Sequence, residues 1–372
     1  MSGPDAYKLI RMCLSHRPLS ARREQVRDAV ETGVDWNTLG RQAARHRVWP
    51  LFFHRLNRLI GDRLPDSLQE ELRERQRGLR IHSAFQVQEL GTVAETFDEH
   101  GVPLLSLKGP VLAQVAYGDV SLRRYVDLDV FVPRHRFSEA DRLLRKRGYE
   151  DPAGKSALEG WRRRAARFFA GQWAYVQANG TFTVDAHTRL LPPSFSFPSD
   201  FRRFWERSTP VQLGEKVSVQ GFSREDMILI LAYHGLKNQW RALKHVTDLS
   251  GLLCRDPGPD WAVLIRRAEA MGATRVLALG LSLARGLLDA PLPTEVQSWV
   301  DRQSVEETTA VMADYLRNRD DPSRSTFGGW VESPWHRADT RLQLRMKDTV
   351  RGQVRHVAYA AAHVLWSTFL KP

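Results

Sequence analysis

The chain is poor in cysteine, in long apolar runs and in several catalytic signatures. Of its 372 residues only two, Cys13 and Cys254, are cysteines. Two are too few for a disulfide framework, and their separation is not a metal-ligand spacing. That usage fits a reducing cytosol. The amino-terminal MSGPDAYKLIRM has no apolar signal region, so no secretory leader is expected. The longest mainly apolar run, Val357 to Leu370, falls short of the roughly 20 residues a membrane-spanning helix requires. It is expected to be a packed terminal helix, with a membrane-surface helix as the alternative. There is no G-x-x-x-x-G-K-[ST] phosphate loop and no H-E-x-x-H zinc motif. Internal repeats and low-complexity tracts are likewise missing.

A large basic excess is present. Lys and Arg number 55 against 43 Asp and Glu, a formal charge of +12. Such an excess favours polyanionic partners: nucleotides, nucleic acid or an acidic surface. Arg is spread along the whole chain, so the same count also describes solvated helix faces. Apolar residues form 42% of the chain, enough to bury a substantial core and too many for a disordered one.

The apolar periodicity divides the chain into three regions: 1–80, 81–221 and 222–372. The first reads as helices, with Ile10, Cys13 and Leu14 on one face and Leu51, Phe52, Leu56 and Leu59 on another. In the second, Ala84 to His100 suits a helix. Val102 to Leu107 suits a short strand, broken by Lys108-Gly109-Pro110 at the start of a helix reaching Tyr117. Val126 to Val132 reads as a strand entering a core, and 136–147 as a helix stopped by Gly148. Asn179-Gly180 predicts a hairpin turn between Gln172–Ala178 and Thr181–Leu190. One further strand is predicted from Val211 to Val219. From Phe222 the chain is helical again, opened by Ser223-Arg-Glu-Asp226 as a capping box. Helices are predicted at 239–254, 259–271, 273–287 and 343–370, with a long loop at 316–338. The expected class is α+β: a small mixed sheet flanked by helical regions, mainly α overall.

Asp127 and Asp129 stand two apart on a predicted strand, so their carboxylates leave the same face. Two acids that close repel, and a divalent cation between them relieves the repulsion. Oxygen ligands suit Mg²⁺ or Mn²⁺, ions that bring nucleotide phosphates with them. Asp185 is the expected third carboxylate, on the return arm of the hairpin. His187 shares its face and is expected to ligate metal, touch phosphate or orient Asp185. Taken alone, acid-x-acid equally describes a solvated edge strand, and Asp185 with His187 a structural pair. Gly109 lets backbone N–H groups approach a phosphate at a helix start, beside the charge of Lys108. Arg123 and Arg124, just before the acidic strand, are expected to pair with phosphate or with the acids.

The succession of strand, glycine turn, helix, basic loop, acid-x-acid strand and a later strand with a third acid resembles the polymerase-β-type nucleotidyltransferase superfamily. Leu107-Lys-Gly109, Tyr117, Arg123, Asp127-Leu-Asp-Val-Phe-Val132 and Asp185-Ala-His187 resemble more closely the bacterial "uncharacterised nucleotidyltransferase" family. His234-Gly-Leu-Lys237, Trp240 and Leu243-Lys-His-Val-Thr-Asp248 are similar to that family's later helical signature, so the resemblance spans roughly residues 80–255. It implies a cytoplasmic enzyme that moves an NMP from an NTP to an acceptor and releases pyrophosphate, using two ions of Mg²⁺ or Mn²⁺. Asp127, Asp129 and Asp185 would be the catalytic metal ligands. Lys108, Gly109, Arg123, His187, His234, Lys237 and Asp248 would form the nucleotide site. The acceptor is left open among small molecule, peptide and RNA. Where the superfamily carries Gly-Ser at the turn, this chain carries Lys108-Gly109. That change motivates an alternative, an inactive nucleotide- or RNA-binding module on the same fold. A third reading is a helical interaction protein.

Further candidates follow from spacing. His234, Lys237 and Arg241 make a cationic stripe if one helix continues through them. Trp240 is available to stack on a base or to fill a core. Lys244 and Asp248 are expected either at the site or as an exposed ion pair. Arg162-Arg-Arg164 and Arg167, among Trp161, Phe168 and Phe169, suit an RNA-contacting patch or an amphipathic helix.

Overall fold

The computed structural model describes residues 5–152, 171–195, 197–318 and Met346. The Arg162–Arg164 run, the predicted helix 343–370 with its Val357 to Leu370 stretch, and most of the 316–338 loop lie outside these residues. The protein is α+β and mainly helical, with one mixed sheet of seven strands among the described residues. No described helix is long and apolar enough to cross a membrane.

Two compact units are distinguished. Among the described residues, one takes the chain up to Arg80, Ser121–Arg124 and the part from Leu231 onward; the other takes Ile81–Val120 and Tyr125–Ile230.

The first unit is helical. Its amino-terminal helices, Ala6–Leu14, Leu19–Glu31, Trp36–Arg45 and Trp49–Ile60, turn their predicted apolar stripes inward: Ile10, Cys13, Leu14, Leu51, Phe52, Leu56 and Leu59 are all buried. Aspartates open several helices by accepting backbone N–H groups that would otherwise lack partners: Asp5, Asp35 and Asp260 each do so. Thr274–Leu288 is apolar over most of its circumference and largely buried, with Arg275 and Arg285 on its less buried side. Trp240, fully buried, lies against two glycines. A Cβ at Gly235 would stand 2.4 Å from the indole, and one at Gly280 would stand 3.3 Å from it.

The second unit holds the sheet. Its strands are β1 (Leu105–Ser106), β2 (Leu128–Phe131), β3 (Tyr149–Glu150), β4 (Gln172–Gln177), β5 (Thr183–His187), β6 (Thr209–Leu213) and β7 (Val217–Gly221). They lie in the order β3-β4-β5-β2-β1-β7-β6. β2 pairs parallel with β5 and β1 parallel with β7; the other pairs are antiparallel. Leu128 and Val130 of β2, Trp173 and Tyr175 of β4, and Val184 and Ala186 of β5 join one core. Val87, Leu90, Val93 and Phe97, from the 34-residue helix Asp66–Glu99, enter the same core. So do Phe137 and Leu144 of the helix Phe137–Lys146. Side chains alternate across a strand, so Asp129, Phe131, Asp185, His187, Gln172 and Ala174 belong to the opposite face. Phe131 meets Phe201, Phe204 and Phe222 there, with ring centroids 5.3 to 6.1 Å away.

Two elements differ from the sequence expectation. The strand predicted over Val211 to Val219 is a hairpin, β6 and β7, turning through Gly214 at φ +76°. Val211, Leu213, Val217 and Val219 keep a period of two straight through the turn, so the pattern concealed it. The predicted helical stripe of His234, Lys237 and Arg241 does not form. The helix Arg224–Lys237 stops at Lys237, and Gln239 and Trp240 take left-handed φ values of 53° and 49°. The indole fills the core instead of standing free for a base.

Replacing Gly235 with Ala forces a methyl into the Trp240 ring and is predicted to destabilise the chain by about 1–3 kcal/mol. Urea unfolding checks this. An unchanged midpoint would contradict the packing.

Candidate metal centre

The parallel register of β2 and β5 sets Asp129 beside Asp185 and Phe131 beside His187. On the other edge of β5, β4 sets Gln172 beside His187 and Ala174 beside Asp185. Three side chains therefore converge on one sheet face. His187 Nε2 lies 2.9 Å from Asp129 Oδ1. One ligand atom from each of Asp129, Asp185 and His187 falls within 4.8 Å of the others. All three residues are buried, at 6%, 8% and 4% exposure. Ala174, opposite Asp185 in register, is exposed and too short to add a ligand.

The glycine turn flanks this face. Leu107 N–H donates to the Asp129 carbonyl at 3.0 Å, so β1 delivers the turn beside the acids. Gly109 has φ +53°, and a Cβ there would meet the Asp127 carbonyl oxygen at 3.4 Å. Left-handed backbone and close approach together call for glycine. Lys108 sits at the helix start, its Nζ 4.0 Å from Asp129 Oδ1.

Asp127 occupies a different position from the one expected. β2 begins at Leu128, so Asp127 immediately precedes the strand, half-buried. It is outside the group whose ligand atoms converge, although its charge still acts on Asp185. The Tyr125 carbonyl, two residues earlier, pairs with His82 Nε2 at 3.2 Å and fixes the approach to the strand.

Gln172 is a residue the sequence reading missed. Its Nε2 donates to Asp185 Oδ2. Only the strand register, Gln172 against His187, brings it here, and no spacing in the sequence announces that.

The remaining nucleotide-site candidates belong to the helical unit. Arg123 Nε donates to both oxygens of Asp248, at 3.1 and 3.2 Å, and Lys244 Nζ stands 3.3 Å from Asp248 Oδ2. The Arg123 and Asp248 side chains are 5% and 3% exposed, so this is a buried ionic group and not an exposed pair. His234 is buried in the last turn of its helix, and Lys237 is exposed at its end.

Electrostatics mark Asp185. Burial raises its pKa first; the neighbouring Asp129 raises it further, and Asp127 adds to this. His187 and the Gln172 hydrogen bond pull it down. A carboxyl whose folded pKa is raised binds its proton more tightly in the native state. Native stability therefore falls as pH rises from the ordinary carboxylate value of about 4 through the raised one. Asp185→Asn removes that loss. The variant is predicted to melt above wild type at neutral pH without metal, the difference closing below about pH 4. Melting curves across pH in chelator test it. An Asp185→Asn protein that melts lower at neutral pH would contradict the repulsion.

The family model described as uncharacterised nucleotidyltransferase matches residues 32–289. That span includes the turn, both acidic strands and the later helical signature, and is wider than the motifs alone indicated. No curated protein and no solved structure matches the chain. With the match covering more than half of its length, the chain belongs to the uncharacterised nucleotidyltransferase family.

Proposed function

We propose that this protein transfers an NMP from an NTP to an acceptor, releasing pyrophosphate, at the β2–β5 face. The observation that carries the reading is the convergence of Asp129, Asp185 and His187 within 4.8 Å. Family membership supplies the reaction class.

A divalent cation fits these residues. Two carboxylates and an imidazole nitrogen are competent ligands. Burial with a like-charged neighbour gives Asp185 a cost that a cation relieves. When bound, the cation would neutralise phosphate charge and lower the pKa of an acceptor hydroxyl.

The rest of the work falls to the chain. Asp129, Asp185 and His187 would hold the ion. Lys108 and the backbone at Gly109 would receive the triphosphate. A phosphate there would take over the Lys108 ammonium from Asp129, 4.0 Å away. Asp127, beside the strand entry, would contribute the charge of a second ion site. Gln172 would keep Asp185 turned toward the face. Such catalysis is mostly placement and fixed charge. Arg123 and Asp248, bound to each other, would act as a pair within the helical unit.

The test is thermal melting with Mn²⁺ and each of the four NTPs, paired with pyrophosphate detection over an acceptor panel. At a nucleotide concentration of about 100 times Kd, binding to wild type should add about 2.7 kcal/mol of stability. Asp129→Ala and Asp185→Ala should abolish both that gain and pyrophosphate release. Nucleotide stabilisation without pyrophosphate from any acceptor would favour a binding module. Wild type indifferent to every metal and nucleotide would refute the reading.

A further inference from the structure

We propose that His187 makes this centre prefer a first-row transition cation such as Mn²⁺ over Mg²⁺. The inference rests on the reading of the β2–β5 face as a divalent-cation site and concerns which cation that site is built for.

The sequence pattern led to three aspartates and an all-oxygen site. The structure instead brings together two carboxylates and one imidazole, with Asp127 outside the converging group. The difference is chemical. Mg²⁺ is small and hard, demands near-ideal octahedral oxygen ligation and parts reluctantly with its waters. An imidazole nitrogen in its place costs Mg²⁺ affinity. First-row transition cations accept mixed nitrogen and oxygen donors, and Mn²⁺ combines that tolerance with good carboxylate binding.

His187 is also not a casual neighbour. It is 4% exposed, and its Nε2 lies 2.9 Å from Asp129 Oδ1. Its backbone is held on both sides, by Phe131 of β2 and Gln172 of β4 in register. The Val132 N–H donates to the His187 carbonyl at 2.9 Å, which fixes the strand end. The backbone is therefore fixed, and the buried ring puts its nitrogen within 4.8 Å of a ligand oxygen of each aspartate, where a cation held by Asp129 and Asp185 would meet it.

The experiment uses the full chain, with Mn²⁺ and Mg²⁺ alone as probes. Mn²⁺ affinity is read from the free-ion electron paramagnetic resonance signal, and Mg²⁺ affinity by competition. Pulsed resonance on bound Mn²⁺ detects a directly coordinated nitrogen, a signature that a merely structural histidine does not give. Wild type is expected to favour Mn²⁺ by about tenfold or more, the scale on which single ligand-shell changes act. It is also expected to show nitrogen coupling. His187→Asp should lose the coupling and narrow the Mn²⁺/Mg²⁺ ratio toward one. If that acidic variant does not fold, the neutral His187→Gln should lose the coupling and narrow the ratio in the same direction. Bound Mn²⁺ without nitrogen coupling, or an unchanged ratio in the folded variant, overturns the selectivity while leaving the metal site standing. Wild type that binds neither ion overturns both.

Discussion

Asp129 and Asp185 stand side by side on parallel strands, within a face that water reaches poorly. Two like charges about 4 Å apart repel by about 4 kcal/mol at a near-surface effective dielectric. A fold keeps such a pair when a cation, a bound proton or hydrogen-bond donors offset the repulsion. Here the nearby groups are the Lys108 ammonium and the His187 imidazole, and Gln172 donates to Asp185. The arrangement around the pair follows from that constraint. β1 ends where its turn can present Lys108, Gly109 gives up its Cβ so that the turn can lie against Asp127, and β4 supplies a neutral donor rather than a third acid.

The sheet makes this constraint affordable. Leu128, Val130, Val184 and Ala186 bury one face of β2 and β5 in a core with Trp173 and Tyr175. Alternation then obliges Asp129, Asp185 and His187 to share the other face. A slip of one residue in the β2–β5 register would turn the carboxylate of the slipped strand into that core and part it from the other. The hydrophobic pattern that stabilises the strands is therefore also what holds the ligands together.

Much of this was legible in the residues. The turn at Lys108-Gly109, the acid-bearing strand, the Asn179-Gly180 hairpin and the buried stripes of the first helices follow from local chemistry. So does the α+β class. What stayed hidden depended on pairing between distant segments. Gln172 reaches Asp185 only through the β4–β5 register, and Asp248 meets Arg123 across 125 residues of sequence. Asp127 falls outside the converging group, and the strand begins at Leu128, two residues later than the alternating pattern indicated. Trp240 looked available for stacking because nothing local shows that Gly235 and Gly280 are cut away to receive its ring. The hairpin of β6 and β7 escaped because its apolar alternation continues in phase through the turn.

The account stands on Asp129, Asp185 and His187 sharing one cation. Anomalous diffraction from crystals grown with Mn²⁺ tests it most directly. A manganese peak bonded to a carboxylate oxygen of each aspartate and to His187 Nε2 is the predicted result. A peak elsewhere on the chain, or an empty face with the Asp129–His187 contact unchanged, would contradict it.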